Sequence, residues 1–523
     1  MKKIKLYDYQ REMLDNVTKV LTGPSLGGFF YNERGKRVKC ANSVMVQMPT
    51  GTGKTYVMAA IVKWFLDTYP EGEVWLIAHR KELVEQMQQT LDRFVLKYAE
   101  KDEQLAAKVR IRVLSIQWLT RHLGDLEKKG YSPGLIMVDE AHHALAVSYQ
   151  DMFVRNPNAF KVGMTATPCR MKKASFGTLF YRLLPSAPTC DFIKLGFLSP
   201  YNYVVIGKSS PDQQIVNLLK GRGSDGDYAV KEMDEKLNIP QAIQRLYGSV
   251  KKYADGKKGI VYAIDIDHAK AIAECYCALG IKAVALDSKT AAKKRKEMVE
   301  AFKKGELDCL VNVNLFDEGF DCPDVEYIQM ARPTLSLAKY LQMVGRGLRI
   351  NREDSKKVCM IIDNVGNYRK FGLPDRFRDW TSMFEGKTPG KGAIPSYVKK
   401  VSSIITVKDE MVVVKKAETD KKKLTPDELR TFKDGIVPFR AESSGLMGLK
   451  SGDEIVLPPT YSYISDFKGN YAVFRPANSF FTKGIIDKYG YVVVSAEYRG
   501  FIFLTENSVL GITGKGGTDT IML

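Results

Sequence analysis

The sequence predicts two consecutive α/β domains, each with a parallel β-sheet, followed by a small all-β module. Between residues 43 and 168, short apolar runs typical of buried strands alternate with patterns of helical spacing. The same alternation restarts near residue 240, and in both stretches polar residues follow the strand ends, as in parallel, doubly wound sheets. After residue 435 the pattern changes to short β-type runs separated by glycine turns.

The length of the chain agrees with this division. At 523 residues the chain is too long for one ordinary domain. Stretches that are charged or carry Gly and Pro separate the patterns and are interpreted as connections. The expected division is residues 1–190 for domain 1, 191–240 for a connection, 241–385 for domain 2, 386–434 for a linker and 435–523 for the β module.

The charge of the chain is strongly positive and unevenly distributed. The formal net charge is +19, and the first 400 residues carry 63 Lys and Arg against 45 Asp and Glu. A positive field of this size favours a polyanionic partner such as nucleic acid, although a role in solubility alone stays open.

The composition also disfavours several classes of protein. No run of about 18 apolar residues exists and the first residues lack the apolar stretch of a signal peptide, so we expect a cytoplasmic protein with no membrane contact. The eight Cys include no C-x-x-C pair, which disfavours both a zinc site and a disulfide framework.

The first element of domain 1 with a clear chemical meaning is a loop between a strand and a helix. Ser43–Met48 is predicted to be a buried strand, and helical spacing follows from Thr55. Gly51 and Gly53 allow the backbone N–H groups to approach a phosphate at the helix N-terminus. Lys54 is placed to reach the β- and γ-phosphates of a nucleotide, and the Thr55 hydroxyl to bind Mg²⁺.

Two adjacent carboxylates follow a later strand of domain 1. Asp139 and Glu140 come directly after the apolar residues 135–138. Such a pair is costly at the end of a buried strand unless a metal or hydrogen bonds use it. We expect Asp139 to hold Mg²⁺ through its water shell and Glu140 to orient or deprotonate the attacking water. His142 is expected to couple this site to Gln342 or to Thr165.

Hydroxyl and guanidinium groups complete the predicted site. Thr165 and Thr167 follow the next strand of domain 1 and are expected to form hydrogen bonds between the domains. In domain 2, Arg346 and Arg349 lie three residues apart on a predicted helix and therefore on one face. They can act as arginine fingers on the transferred phosphoryl group, whereas a solvated basic helix is the alternative.

Together these motifs resemble, in order and spacing, a superfamily two helicase or translocase of the DEAH-box type, related to the type III restriction and excision-repair motors. The match runs from Leu6 to about Asp363 and implies two RecA-like domains with a P-loop, ATP and Mg²⁺ as cofactors, and an ATP hydrolase. The implied catalytic residues are Lys54, Glu140, Gln342, Arg346 and Arg349. The implied nucleotide-binding residues are Gln10, Thr50, Gly51, Thr52, Gly53, Lys54, Thr55, Gly319 and Asp321, with Thr55 and Asp139 on the metal. The implied nucleic-acid contacts are Arg80, Gln117 and Asn314, and the coupling residues are His142, Thr165 and Thr167.

The chain departs from the family pattern at three places. Met48 stands where the strict loop pattern has Gly, Tyr7-Asp8 stands where Arg-Pro often precedes Tyr-Gln, and Asn312 and Asn314 stand where motif V often starts with Thr. The implied activity is movement along or unwinding of nucleic acid, with DNA favoured over RNA. The alternatives are ATP-driven remodelling or signalling without strand separation, and an RNA helicase.

The β module contains an imperfect repeat, in which residues 448–456 match residues 484–493 in outline. Each copy is predicted to form strand, glycine turn and strand, that is, a hairpin. The copies resemble WG repeats, although Met447 and Lys483 stand in place of the Trp. A protein partner through this module is a further expectation, and a generic small β domain is the alternative.

Overall fold

The computed structural model describes most of the chain. The described residues are 6–23, 29–31, 37–39, 42–79, 81–92, 110–170, 175–286, 290–313, 322–351, 354, 357–387, 402–405, 411–416, 436–441, 445–451, 454–476, 482–487, 492–505, 508–513 and 518–522. Domains 1 and 2, with two later strands, form one compact unit, and the β module forms another.

Domain 1 is built on a six-stranded sheet with strand order β5-β4-β6-β7-β3-β8, in which all paired neighbours run parallel. Helices α1 and α2 bury apolar side chains on one face, and α4 and α5 on the other. The elements are α1 (Asp8–Thr22), β1 (Phe29–Tyr31), β2 (Arg37–Lys39), β3 (Ser43–Gln47), α2 (Lys54–Thr68), β4 (Glu73–Ala78), α3 (Lys81–Leu91), β5 (Ile111–Ser115), α4 (Ile116–Lys128), β6 (Pro133–Val138), α5 (Val147–Arg155), β7 (Phe160–Thr165) and β8 (Arg182–Pro185).

Domain 2 is built on an eight-stranded sheet with order β11-β12-β10-β13-β14-β9-β16-β15. The first six strands pair in parallel, and the last two add antiparallel. The elements are α6 (Thr189–Lys194), β9 (Tyr201–Ile206), α7 (Pro211–Asn217), α8 (Val230–Leu237), α9 (Pro240–Tyr253), β10 (Gly259–Tyr262), α10 (Ile266–Ala278), β11 (Ala283–Leu286), α11 (Ala292–Lys303), β12 (Cys309–Asn312), β13 (Tyr327–Met330), α12 (Leu337–Gly347), β14 (Cys359–Asp363), α13 (Tyr368–Phe371), α14 (Trp380–Phe384), β15 (Ser402–Ile405) and β16 (Met411–Lys416).

The β module contains two antiparallel sheets, one with order β17-β18-β19-β20-β21-β22 and one with order β23-β24-β25. Its strands are β17 (Ile436–Arg440), β18 (Met447–Ser451), β19 (Glu454–Ile464), β20 (Tyr471–Pro476), β21 (Lys483–Asp487), β22 (Val492–Tyr498), β23 (Gly500–Thr505), β24 (Ser508–Ile512) and β25 (Thr518–Met522). The two sequence repeats form antiparallel pairs with irregular register, β18 with β19 and β21 with β22.

The fold class predicted from the sequence is therefore confirmed: two parallel-sheet α/β domains precede an all-β module. The structure also places strands where the sequence predicts connections. Strand β9 lies in the predicted connection 191–240, and β15 and β16 lie in the predicted linker 386–434. The run Val412–Val414 in β16 is β-branched and apolar, and it pairs with β9.

Candidate active site between the two α/β domains

At two positions in the loop after β3, the backbone has a conformation that only glycine adopts easily. Gly51 and Gly53 have φ of +90° and +81°, in the left-handed region. A Cβ atom at Gly53 would also clash with the side-chain nitrogen of Gln10. Helix α2 begins at the next residue, Lys54, so that its N-terminal N–H groups face the loop.

The N-terminus of α1 contacts this loop. The backbone N–H of Tyr7 donates to Oε1 of Gln10 (3.0 Å), and Nε2 of Gln10 donates to the carbonyl oxygen of Thr52 (3.3 Å). The hydroxyl of Tyr9 donates to the same carbonyl (2.8 Å). Gln10, predicted from the resemblance to contact adenine, is thus buried against the loop and supports it.

Lys54 lies among charged groups from both domains. Its Nζ donates to the carbonyl oxygen of Met48 over 3.4 Å. Burial lowers the pKa of Lys54, the carboxylates of Glu140 and Asp139 act to raise it, and Arg346 and Arg349 act to lower it. Cations from domain 2 are therefore close enough to influence the lysine of domain 1.

The acid pair follows β6 in a strained turn. Glu140 has φ of +47°, the only positive value at a non-glycine residue in the described part of the chain. Such a conformation is uncommon for a residue with a Cβ, and it is often found at functional sites. The backbone N–H of Glu140 donates to Oδ1 of Asp139 (2.9 Å), which fixes the Asp139 carboxylate relative to the turn.

His142 connects Glu140 to the end of β7. Its Nδ1 lies 3.3 Å from Oε2 of Glu140 and 3.2 Å from the hydroxyl oxygen of Thr165. Thr165 in turn accepts a hydrogen bond from the Thr167 N–H (3.1 Å). Of the two partners expected for His142, the structure shows Thr165, a residue of the same domain.

The Glu140 carboxylate is held in its charged form. Burial alone would raise its pKa, but Lys54, His142 and Arg346 together lower it to about 2. Because two of these three groups belong to domain 1 and one to domain 2, the ionisation of Glu140 depends in part on the contact between the domains.

A stack of three imidazole rings was not predicted from the sequence. The rings of His79 and His143 are stacked, with centroids 4.1 Å apart and planes at 11°, and the His142 and His143 centroids are 4.2 Å apart. His79 follows β4, and its carbonyl oxygen accepts a hydrogen bond from Nε2 of Gln117 (2.7 Å). The predicted nucleic-acid contact Gln117 is thus joined to Glu140 through neighbouring side chains.

Domain 2 contributes α12 and the residues after it. Arg346 is 5% exposed and influences the pKa of both Lys54 and Glu140. A Cβ built on Gly51 would lie 3.3 Å from Cγ of Arg349, so this arginine is also at the loop. The sequence pattern predicts Arg349 on the same helix face as Arg346. Helix α12 ends at Gly347, however, so Arg349 lies beyond the helix.

Four predicted residues lie outside the described part of the chain. They are Arg80, Asn314, Gly319 and Asp321. Gln342 is described and buried, and its Nε2 has no hydrogen-bond partner among the described residues. The hydroxyl of Thr167 is also buried without a hydrogen-bond partner among the described residues.

The residues at this site fit a nucleoside triphosphate with Mg²⁺. The glycine loop, Lys54 and two arginines concentrate positive charge where phosphates would bind. Gln342 offers a buried donor with unused capacity. Within the described residues no group of three or more His, Cys, Asp or Glu is arranged to hold a metal ion. A site with one carboxylate and one hydroxyl suits Mg²⁺, which usually keeps several waters and binds substrate phosphates.

Replacing Gly345 with Ala is expected to slow ATP hydrolysis about a hundredfold, because a displacement of about 1 Å at a catalytic group has that effect. The added Cβ would lie 2.6 Å from Cβ of Thr50 and would push α12 away from the loop. Steady-state ATPase rates measure the effect. The control is Gly248→Ala in α9, where a Cβ meets nothing within 4 Å. Equal rates for Gly345→Ala and Gly248→Ala would contradict the contact.

Models of two known families match the two α/β domains. The model of the Type III restriction enzyme, res subunit, matches residues 3–170, and that of the Helicase conserved C-terminal domain matches residues 239–351. These ranges contain the loop, the acid pair and the arginines. The β module lies outside both of them.

Individual proteins are similar to this chain over part of its length. A 51.5 kDa protein of a Lactococcus phage is 32% identical over 352 residues, which is 66% of this chain and 71% of the phage protein. A Saccharomyces cerevisiae protein named "Putative ATP-dependent helicase IRC3" is 26% identical over 353 residues, 62% of this chain but only 50% of the yeast protein. Among solved structures, a fragment of an HsdR subunit of a type I restriction enzyme from Vibrio vulnificus matches 70% of this chain and 65% of that chain, with a TM-score of 0.49 and 22% identity.

Proposed function

Since the chain belongs to the superfamily 2 helicases, in the group of type I and type III restriction enzymes and IRC3, we propose that it hydrolyses ATP between domains 1 and 2. Members of this group are ATP-dependent motors on nucleic acid. The chain is proposed to use the change in contact between its two domains to move along DNA. The observation that supports this best is the position of Arg346. This arginine of domain 2 influences the pKa of both Lys54 and Glu140 of domain 1.

The proposed roles follow from the geometry and the resemblance. Residues 139–142 act as the DEAH box, and Lys54 binds the β- and γ-phosphates. Asp139 and Thr55 would hold Mg²⁺, which would supply positive charge to neutralise the phosphates. The remaining nucleotide contacts are Gln10, Thr50, Gly51, Thr52, Gly53, Gly319 and Asp321.

Glu140 is proposed to orient the attacking water. Because Lys54, His142 and Arg346 lower the pKa of Glu140, its carboxylate is charged and able to accept a hydrogen bond from the attacking water. Arg346 and Arg349 are proposed to stabilise the charge on the transferred phosphoryl group from domain 2. Gln342 is proposed to bind the phosphoryl group or the water, and its buried donor without a described partner supports this role.

The coupling between ATP hydrolysis and movement along DNA is proposed to run through domain 1. The His142 imidazole contacts the Glu140 carboxylate over 3.3 Å, and hydrogen bonds from His142 to Thr165 and from Thr167 to Thr165 continue this contact to the end of β7. The imidazole stack adds a second connection, from His142 through His143 to His79, beside Gln117. A displacement of Glu140 is therefore transmitted to the loops that are proposed to bind DNA.

The DNA is proposed to lie along the carboxyl edges of both sheets and to be held mainly through phosphates. Arg80, Gln117 and Asn314 are the proposed contacts. In domain 2 an open cavity of about 600 Å³ lies beyond the carboxyl ends of β10 and β11, and its lining contains both Lys270 and Lys294 and both Asp265 and Asp267. The support for a polyanion is therefore the net positive charge of the first 400 residues and not the lining of this cavity.

The β module is proposed to be a WG-repeat-like unit that binds a protein partner. Its two repeats form hairpins, and Ile502 and Leu504 on strand β23 are each 53% exposed.

Within the described part of the chain, no helix is both long enough and apolar enough to span a membrane.

The proposed function is tested by ATPase rates with single-stranded DNA, duplex DNA and RNA of equal length, each at about 50 mM and about 200 mM salt. We expect DNA to stimulate hydrolysis more than RNA does, with less stimulation at the higher salt because phosphate contacts are screened. Strand-displacement and triplex-displacement assays then separate a helicase, which gives both signals, from a duplex translocase, which gives only the second. No stimulation by any nucleic acid would contradict the proposal and favour remodelling or signalling.

A further inference from the structure

Helix α4 begins at the carboxyl edge of the domain 1 sheet. It follows β5 directly, and the side chain of Ser115 accepts a hydrogen bond from the Trp118 N–H (3.3 Å). Gln117, one residue earlier, donates to the carbonyl oxygen of His79 after β4. Trp118 is therefore next to the loops at which the proposed DNA track enters domain 1.

Trp118 presents an aromatic surface to solvent. It is 41% exposed, more than the other three tryptophans, which are buried or half-buried. The core face of α4 is already formed by Leu119 and Leu123, so the tryptophan is not needed to fill it. Single exposed apolar side chains are common, so it is the position of Trp118 beside the predicted nucleic-acid contact Gln117 that points to a binding surface.

The ring of Trp118 is held in place by a second aromatic ring. The imidazole of His122 stacks on it with centroids 4.3 Å apart and planes at 10°. Nδ1 of His122 lies 2.8 Å from the carbonyl oxygen of Trp118, which fixes the imidazole one helical turn further on. The surface is thus pre-organised, and binding to it would cost little side-chain entropy.

The helix turn that carries the ring contains no acidic residue. Arg121 is exposed nearby, while the exposed Asp125 and Glu127 lie about two turns further along α4. The site is also separate from the nucleotide site, since β5 is four strand spacings from β3, or about 19 Å at ~4.8 Å each. Gln10, at the proposed adenine end of the nucleotide, contacts the phosphate loop that follows β3. The base of the bound nucleotide therefore does not reach Trp118.

We propose that Trp118, backed by His122, is a stacking platform for an unpaired base of single-stranded DNA. This inference rests on the proposed function and adds that the track is single-stranded where it crosses α4. Base–aromatic stacking needs an exposed π-face, and the bases of an intact duplex offer none along their length. The platform thus selects a separated strand, whereas the phosphate contacts hold any strand.

Tryptophan fluorescence tests the platform directly in the full chain without nucleotide. We expect a thymidine oligonucleotide to quench the emission of the wild-type chain, and a blunt DNA duplex to leave it nearly unchanged. In Trp118→Phe the quenching disappears while binding is retained within a few-fold. In Trp118→Ala the affinity for the oligonucleotide falls about tenfold, in the range found for loss of one stacked base.

The matched control is Tyr181→Ala. Tyr181 is exposed to a similar extent (43%) but precedes β8 and so lies at the amino edge of the same sheet. We expect this variant to bind single-stranded DNA as the wild type does. The platform is overturned if Trp118→Ala and Tyr181→Ala bind equally well, or if Trp118→Ala loses duplex binding to the same extent.

The outcomes also separate this inference from the proposed motor. Quenching by the thymidine oligonucleotide at Trp118, combined with ATP hydrolysis that DNA does not stimulate, keeps the platform and rejects the motor. Quenching by a uridine oligonucleotide alone overturns the assignment to DNA. DNA-stimulated hydrolysis with unchanged emission rejects the platform and keeps the motor.

Discussion

Replacing Lys54 with Ala is expected to abolish ATP hydrolysis, with a loss of at least about a thousandfold, with or without DNA. The ammonium group lies among Glu140, Asp139 and the two arginines of domain 2. Its removal takes away a positive charge from the phosphates, and the backbone N–H groups of the loop cannot replace that charge. The measurement is the steady-state release of phosphate at saturating ATP.

The control for Lys54→Ala is on the same helix. Lys63 forms an ion pair with Asp67 one turn further on (2.6 Å), with the Asp half exposed. Such surface pairs contribute at most about 1 kcal/mol to stability, so Lys63→Ala should retain the wild-type rate. DNA-stimulated hydrolysis by Lys54→Ala would show that the loop after β3 does not bind the phosphates.

Replacing Arg346 with Ala is expected to lower the DNA-stimulated rate by about a thousandfold, the lower range for loss of an arginine finger. The guanidinium group is almost fully buried and acts on the charges of Lys54 and Glu140. Arg346→Lys should recover little of the rate, because an ammonium group cannot form two parallel hydrogen bonds to phosphate oxygens.

Nucleotide affinity distinguishes a catalytic role for Arg346 from a structural one. If the arginine acts on the transition state, Arg346→Ala should bind a fluorescent ATP analogue within a few-fold of the wild type while hydrolysis is lost. A rate above a third of the wild-type value would remove Arg346 from the catalytic residues. An equal loss of affinity and rate would assign it to binding alone.

The two α/β domains could be predicted because their strands are apolar, short and followed by helical patterns. Strands β3 and β6 lie within two residues of the predicted runs 43–48 and 135–138. Strand β9 was missed although residues 201–206 are rich in Tyr and Val, because no helical pattern of clear period surrounds it. Strand β8 has only four residues and ends in Pro, so its sequence carries little β signal.

The candidate site could be predicted in part for a geometric reason. Parallel strands bring their carboxyl ends to one edge, so the loop before Lys54 and the pair ending in Glu140 had to lie near each other. The approach of Arg346 depended on the resemblance. The stack of His79 and His143 could not be predicted, because 64 residues separate the two rings in the sequence and neither has a periodic pattern.

The pairing of β16 with β9 has a consequence for how the chain matures during synthesis. Every strand of the domain 1 sheet has been made once residue 185 leaves the ribosome. In domain 2, by contrast, β9 is synthesised early, and the hydrogen-bonding edge that it turns away from β14 stays unpaired until residues 411–416 emerge. An open strand edge invites pairing with other nascent chains, so the segment before the β module acts as a late protective cover for a strand made some two hundred residues earlier.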